Sequence, residues 1–269
     1  MRRIIFLFFL LSCKYKLPES RVGDYVWFGE IWTDTLDSSI VYFDTVYSGS
    51  DKLGYGMRGG VVWFVVGDTS DTACSRDFSD NGVYQFHQNE DFDKQYRFTF
   101  FNWDHNLDDR VFKEGKAYTF CAANLINGVA RETLKLKGTF PSKPRYNLIR
   151  DTLYFPNSDT FRIDQLPDTL YAGRTYTFMW DRGYKANYYM VRLIGKDSSG
   201  NYYYCYKEVL DTAPSISLKI PTSSRECYYD AGPINLEIVN VNRIIFDWGY
   251  AFGEFRLMSR VTKRVFIRP

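Results

Sequence analysis

Two neighbouring stretches, TYTFMW at Thr175–Trp180 and YYMVRLI at Tyr188–Ile194, decide the expected fold. Large side chains occupy every second position of both stretches: Tyr176, Phe178, Trp180, Tyr189, Val191 and Leu193. Because successive side chains of a β-strand point to opposite faces, each set falls on one face of its strand. We therefore predict two strands that bury these side chains in one core, with Trp180 as a central filler.

The same pattern of short aromatic and β-branched runs extends in both directions from this pair. In the first half, the predicted strands are Tyr25–Thr33, Ile40–Tyr47, Val61–Val66, Val83–His87, Gln95–Phe101, Ala117–Ala122 and Thr133–Thr139. In the second half, further strands are predicted at Tyr202–Val209, Ser215–Ile220, Ile234–Val239, Arg243–Trp248 and Phe255–Ile267. Glycines and short polar side chains separate the runs, as is typical of turns. The pattern predicts an all-β protein.

A stretch with Pro141, Pro144, Pro156 and Pro167 separates the two halves. Proline cannot donate to a sheet ladder, so a strand is not expected to run straight through it. We predict two consecutive antiparallel β-sandwich domains. The first covers residues 24–140 and the second 166–269, with a proline-containing linker or first strand region at 141–165.

One short segment of the first half recurs in the second. Gly115–Phe120 (GKAYTF) returns as Gly173–Phe178 (GRTYTF), 58 residues later. In both, a turn glycine leads into an alternating strand. The recurrence indicates either two related units or two sandwiches that independently use the same strand entry.

The second half resembles fibronectin type III and immunoglobulin-like modules through the alternating side chains of its two opening stretches. The first half is similar, more distantly, to the immunoglobulin-like or transthyretin-like domains of bacterial surface lipoproteins, through Gly82-Val83-Tyr84 and Tyr96-Arg97-Phe98. These resemblances imply a fold and not a function.

The chain begins with a positive segment and an apolar run, Ile4–Leu11 (IIFLFFLL), as a secretory signal does. Eight apolar residues rise only about 12 Å on a helix, too little to span a bilayer. Leu10-Leu11-Ser12-Cys13 resembles the lipobox of bacterial lipoproteins, although Leu11 replaces the usual small residue.

The lipobox resemblance implies a signal peptide at 1–12, an acylated Cys13 and a tether at 13–23, so that the membrane is a partner through acyl chains. By resemblance to Gram-negative lipoproteins, Lys14 after the cysteine implies release to the outer membrane, on its periplasmic or surface face. The alternative is an ordinary signal peptide with an incidental cysteine.

Four cysteines remain: Cys74 and Cys121 in the first half, Cys205 and Cys227 in the second. In an exported protein, this division favours one disulfide in each half. The alternative is four buried free thiols, which behave as small hydrophobic residues.

The formal charge of +2 comes wholly from Arg2 and Arg3, so the chain after Cys13 has 32 basic and 32 acidic residues. A neutral chain lacks the positive surface that phosphate binding needs, and this excludes nucleic acid as the main partner.

Motifs for catalysis or cofactor binding are weak in this sequence. The two histidines, His87 and His105, stand in no nucleophile-elbow or metalloprotease motif. Asn102, Asp104, Asn106 and Asp108 alternate like the start of a calcium loop, but Leu107 and Lys113 replace the glycine and glutamate of an EF-hand. We therefore predict no enzyme activity and no cofactor, with an irregular structural calcium site as a weak alternative to a solvated turn.

Two candidate binding surfaces stand out. Arg256, Arg260, Arg264 and Arg268 fall on one side of the last strand, where they would dock an anionic lipid head group or an acidic partner, or else form a solvated face. Tyr202, Tyr204 and Tyr206 would face outward if Cys205 faces inward, which suits protein or glycan contacts. Their alternative role is cross-strand packing.

From the sequence we expect a non-catalytic, lipid-anchored protein of the cell envelope that binds, spaces or assembles. The alternatives are a carbohydrate-binding accessory lipoprotein that uses the tyrosine strip and, third, a hydrolase.

Overall fold

The alternating runs form strands in the structure, a computed structural model that describes residues 25–34, 39–45, 60–66, 83–89, 97–99, 112–126, 129–146, 159–195, 207–222 and 232–269. Within these ranges the chain forms fifteen strands and a short 3₁₀ turn at Ile163–Gln165. The all-β sandwich fold is confirmed.

The strands of the first half are β1 (Tyr25–Trp32), β2 (Ile40–Thr45), β3 (Gly60–Val66), β4 (Val83–Asn89), β5 (Arg97–Thr99), β6 (Ala117–Ile126) and β7 (Val129–Thr139). Those of the second half are β8 (Thr160–Arg162), β9 (Thr169–Tyr171), β10 (Thr175–Met179), β11 (Tyr188–Ile194), β12 (Lys207–Asp211), β13 (Ser215–Lys219), β14 (Ile234–Asp247) and β15 (Ala251–Arg268).

Most of these strands belong to one long sheet, in the order β12-β11-β14-β15-β1-β2-β5-β4-β3-β6-β7, with β9 added beside β15. A second sheet has the order β13-β10-β8. Most neighbours are antiparallel, as predicted. Three pairs, β1 with β15, β8 with β10 and β9 with β15, are parallel. Each of them joins strands that no tight hairpin connects, so the chain can enter both strands from the same end.

The first core is aromatic and lies where the long sheet folds over on itself, because β7 packs against β14 and β15. Trp27 of β1 is fully buried, and its ring centroid lies 4.6 Å from that of Phe255 in β15. Phe120 of β6 approaches Phe255 from the other side, at 5.5 Å. The last strand therefore supplies a central side chain of the first core.

The second core lies between the β11, β14 and β15 part of the long sheet and the sheet of β13, β10 and β8. It contains all six side chains that alternate in the opening stretches. Trp180 packs edge-on against Tyr189, with ring centroids 5.9 Å apart. The prediction that these side chains share one buried face is thereby confirmed.

The hairpin of β14 and β15 takes part in both cores. Ile234, Leu236 and Val265 lie in the second core, whereas Phe246 and Leu257 lie in the first. The two strands pair without interruption from Ile234 to Asp247. The sequence predicted a division after residue 140, but the hairpin of β14 and β15 contributes to both cores.

The repeated GxxYTF segments adopt the same local structure. Gly115 and Gly173 have φ angles of +69° and +77°, which a residue with a Cβ rarely adopts. In each segment, the hydroxyl of the tyrosine accepts a hydrogen bond from the backbone N–H of the residue five positions upstream. Lys113 donates to Tyr118 at 2.9 Å, and Tyr171 donates to Tyr176 at 3.0 Å. The recurrence is therefore structural as well as sequential.

The start of the predicted linker is fixed by side chains of β14 and β15. Asn240 donates to the carbonyl of Ser142 at 2.8 Å, and its own oxygen accepts the indole N–H of Trp180 at 2.9 Å. Ser259 donates to the carbonyl of Pro141 at 2.7 Å. Residues 141–146 are thus docked on the second sandwich.

Candidate functional site

One face of the long sheet packs on neither core and carries most of the buried charge of the described residues. We call this the outer face; it is formed by β12, β11, β14, β15 and β1. Its centre is an apolar cluster of Trp32, Met190, Val239, Val241 and Met258, with Tyr188 and Leu210 at its margin. Charged side chains from the same strands lie around this cluster.

The first charged group of the outer face centres on Glu237 of β14. Its carboxylate accepts a hydrogen bond from Arg192 of β11 and another from Arg260 of β15, the latter at 2.9 Å. Arg260 also donates to Asp34 at 2.7 Å. Both guanidinium groups lie over the ring of Trp32, at 4.3 and 4.8 Å from its centroid. Charge pairing and cation–π contact therefore hold four strands in register.

The second charged group centres on Glu254 of β15. Arg243 of β14 donates two hydrogen bonds of 2.8 Å to its carboxylate, and Arg256 donates one of 2.7 Å. Arg256 also reaches Glu30 of β1, at 3.4 Å. Burial by itself would raise the pKa of Glu254, but the hydrogen bonds and charges of the two arginines outweigh it and hold this pKa below its ordinary value.

The four arginines of the predicted basic stripe therefore have two different environments. Arg256 and Arg260 are largely buried and engaged by carboxylates. Arg264 and Arg268 are exposed. Only Arg264 and Arg268 remain candidates for docking an anion, since the guanidinium groups of Arg256 and Arg260 already bind protein acids.

The exposed arginines belong to a patch at the C-terminal end of β15, which we call the distal patch. It consists of Arg264, Phe266, Arg268, Tyr171 and Arg174. Parallel pairing places Arg268 beside Tyr171 of β9. Phe266 is 53% exposed, and Arg174 lies over the ring of Tyr171 at 5.2 Å. This combination of cations and exposed rings can contact an acidic partner through both charge and apolar surface.

A second exposed aromatic group lies at the opposite end of β15. We call it the hairpin tip: Trp248, Gly249 and Tyr250, the turn between β14 and β15. Trp248 is 36% exposed and Tyr250 51% exposed. Sequence analysis missed this group because it assigned Trp248 to a strand end. The signal available was two aromatic residues flanking a glycine between two alternating runs.

The remaining predicted site residues lie outside the described part of the chain. They are Cys13, Cys74, Cys205, Cys227, the tyrosines Tyr202, Tyr204 and Tyr206, and the calcium candidates Asn102, Asp104, Asn106 and Asp108. Cys121 is buried in β6. Because every other cysteine is outside the described ranges, its pairing with Cys74 stays a prediction.

Two kinds of feature are absent from the part of the chain that the structure describes. No helix there is long and apolar enough to cross a membrane. No group of three or more histidine, cysteine or acidic side chains there is placed to hold a metal ion.

No protein family matches the chain, and no curated protein matches its sequence.

Proposed function

We propose that the protein is a non-catalytic lipoprotein of the cell envelope, held at the membrane by acyl chains on Cys13, that spaces and presents a binding surface. The observation that carries this proposal is the course of β15. This one strand begins beside the end of the tether and finishes in the distal patch.

The pairing of β1 with β15 fixes the position of Tyr25, two residues after the proposed tether. Tyr25, the first described residue, is in register with Ala251, the first residue of β15. An 18-residue strand spans roughly 55–60 Å at about 3.3 Å per residue. Tyr25 and the distal patch therefore lie at opposite ends of a strand that contributes to both cores, which suits a spacer between an anchor and a binding surface.

The chemistry of the distal patch favours an acidic protein partner. Arg264, Arg268 and Arg174 supply positive charge, and Phe266 and Tyr171 supply flat apolar contact area. Arginine and tyrosine are enriched at protein interfaces because they combine contact area with hydrogen bonding.

Replacement of Cys13 tests the anchor. In cells grown with a clickable fatty acid, the wild-type protein is expected to incorporate the label and to remain in the membrane fraction after high-salt washing. Cys13→Ser should abolish the label. Equal labelling of both proteins, or no labelling of the wild type, would overturn the proposal.

Photo-crosslinking tests the binding surface. A photoreactive residue at position 266 is expected to give adducts with an envelope protein, and Arg264→Glu with Arg268→Glu should suppress them. Tyr184, which is 61% exposed and outside the patch, provides the control position. Adducts that are the same at both positions, or that persist after charge reversal, would contradict a role for the patch.

A further inference from the structure

We propose that the hairpin tip is a membrane contact: Trp248 and Tyr250 enter the interfacial layer of the bilayer to which the protein is anchored. This inference rests on the proposed anchoring at Cys13. It adds an orientation, with the hairpin tip toward the lipid and the distal patch away from it.

The position of the tip relative to the tether is the first argument. The backbone N–H of Tyr25 donates to the carbonyl of Tyr250 at 2.9 Å. The tether therefore joins the folded protein at the turn between β14 and β15. Twelve residues lead from Cys13 to Tyr25. Fully extended they reach at most about 40 Å, so the acyl chains hold this end of the protein, and not the other, near the bilayer.

The shape of the turn is the second argument. Trp248 donates its backbone N–H to Ala251 at 2.9 Å, which closes a two-residue loop of Gly249 and Tyr250. Gly249 has φ +81°, a conformation that favours glycine at the first loop position. The turn is thus as short as a hairpin allows, and the two aromatic side chains are carried at the very end of a long, rigid pair of strands.

The chemistry of the exposed side chains is the third argument. The rings of Trp248 and Tyr250 have centroids 6.4 Å apart, and Trp248 is supported by Phe246 at 4.5 Å. Ile245, which is 36% exposed, lies close by in the sequence. Tryptophan and tyrosine prefer the membrane interface because their rings are apolar and their N–H and O–H groups are polar.

The charge near the turn defines which lipids the contact needs. Asp247 is exposed, and its carboxylate accepts the backbone N–H of Gly249 at 2.9 Å. A carboxylate beside the rings gains nothing from anionic head groups. We therefore expect the contact to form on zwitterionic phosphatidylcholine and to be insensitive to salt.

Fluorescence quenching by brominated lipid tests this contact on the full lipidated protein. The chain has six tryptophans, of which Trp248 is the one at the tip. In vesicles of phosphatidylcholine with brominated acyl chains, the wild type is expected to lose a component of its emission that Trp248→Phe lacks. Phenylalanine keeps an apolar aromatic ring at position 248, so the fold and the membrane contact are preserved while the tryptophan fluorescence of this position is removed.

A matched variant moves the reporter to the other end of β15. Trp248→Phe combined with Phe266→Trp carries an exposed tryptophan in the distal patch and should show no additional quenching. Equal quenching of the wild type and Trp248→Phe, or quenching at position 266 instead, would overturn the inference. The fatty-acid label is measured on the same samples. If the wild type is labelled but Trp248 is not quenched, the membrane contact of the hairpin tip is wrong and the anchor at Cys13 is supported. If the wild type is not labelled, the proposed anchor at Cys13 is wrong.

Discussion

The two halves of β15 carry arginines at the same four-residue spacing but in different surroundings. In the near half, residues 251–260, the strand lies beside β14 and, up to Met258, beside β1, and Arg256 and Arg260 are largely buried and paired with acids. In the far half, Arg264 and Arg268 are exposed beside Phe266. Spacing determines which face of a strand a side chain occupies, but the neighbouring strands determine whether that face is buried. The predictions below test this contrast.

The largest effect is expected from Phe255, the buried phenylalanine of the near half. Phe255→Ala removes a ring that contacts both Trp27 and Phe120, and it should lower the free energy of unfolding by about 4 kcal/mol. Phe266→Ala, the matched change in the far half, should change it by less than about 0.5 kcal/mol. Urea denaturation measures both. Similar losses for the two variants would contradict the contrast.

A smaller effect is expected from Glu237, the carboxylate shared by Arg192 and Arg260. Glu237→Gln leaves buried guanidinium charge without its acid and should destabilise the protein by roughly 3 kcal/mol. Asp168→Asn is the control, because Asp168 is highly exposed in its pair with Lys263 and should contribute less than about 0.5 kcal/mol. If Asp168→Asn lowered the melting temperature as much as Glu237→Gln does, the buried ion pairs of the outer face would contribute no more to stability than an exposed pair.

A pH-dependent effect is expected from Glu254, whose pKa is lowered in the folded protein. A lowered pKa stabilises the fold at pH values above the ordinary glutamate pKa of 4.5, and this contribution is lost as the pH falls through the folded-state value. The stability difference between the wild type and Glu254→Gln should therefore be largest near neutral pH and shrink during titration from pH 6 to pH 3. A difference that stays constant over this range would show that the ionised carboxylate contributes nothing.

The smallest effect is expected from the exposed arginines. Arg264→Ser with Arg268→Ser should shift the free energy of unfolding by no more than about 0.5 kcal/mol, since neither side chain is buried. Arg256→Ser with Arg260→Ser should cost several times more, because it leaves Glu254 and Glu237 with fewer donors. Melting temperatures of the two double variants compare the halves of β15 directly.

Local patterns were sufficient to predict most strands. Tyr188–Ile194 has the predicted bounds, and the final strand, predicted at Phe255–Ile267, extends from Ala251 to Arg268. The main error was to divide β14 into two strands, Ile234–Val239 and Arg243–Trp248. Asn240 and Asn242 interrupt the apolar pattern of β14, but both lie within the strand and donate side-chain hydrogen bonds to the carbonyls of Ser142 and Thr139. A polar residue recruited for a tertiary hydrogen bond has the same sequence signal as a turn.

Strand partners and burial could not be predicted in the same way. Nothing in the local sequence of β1 indicates that it pairs in parallel with β15, and two ion pairs of the outer face, Arg256 with Glu30 and Arg260 with Asp34, follow from that pairing. The four arginines therefore formed a uniform basic stripe in the sequence, because three of the acids that engage them, Glu30, Asp34 and Glu237, lie outside β15. The hairpin tip was missed for a related reason: its exposure depends on where the turn falls between two long strands.

The pairing of β1 with β15 also sets an order on folding during synthesis. The first core lacks Phe246, Phe255 and Leu257 until the end of the chain has emerged. Contacts between residues so far apart in sequence form slowly, because a long loop must close before they contribute. The N-terminal sandwich therefore cannot complete itself while the chain is still being made. The first core reaches its final packing only after β14 and β15 have been made.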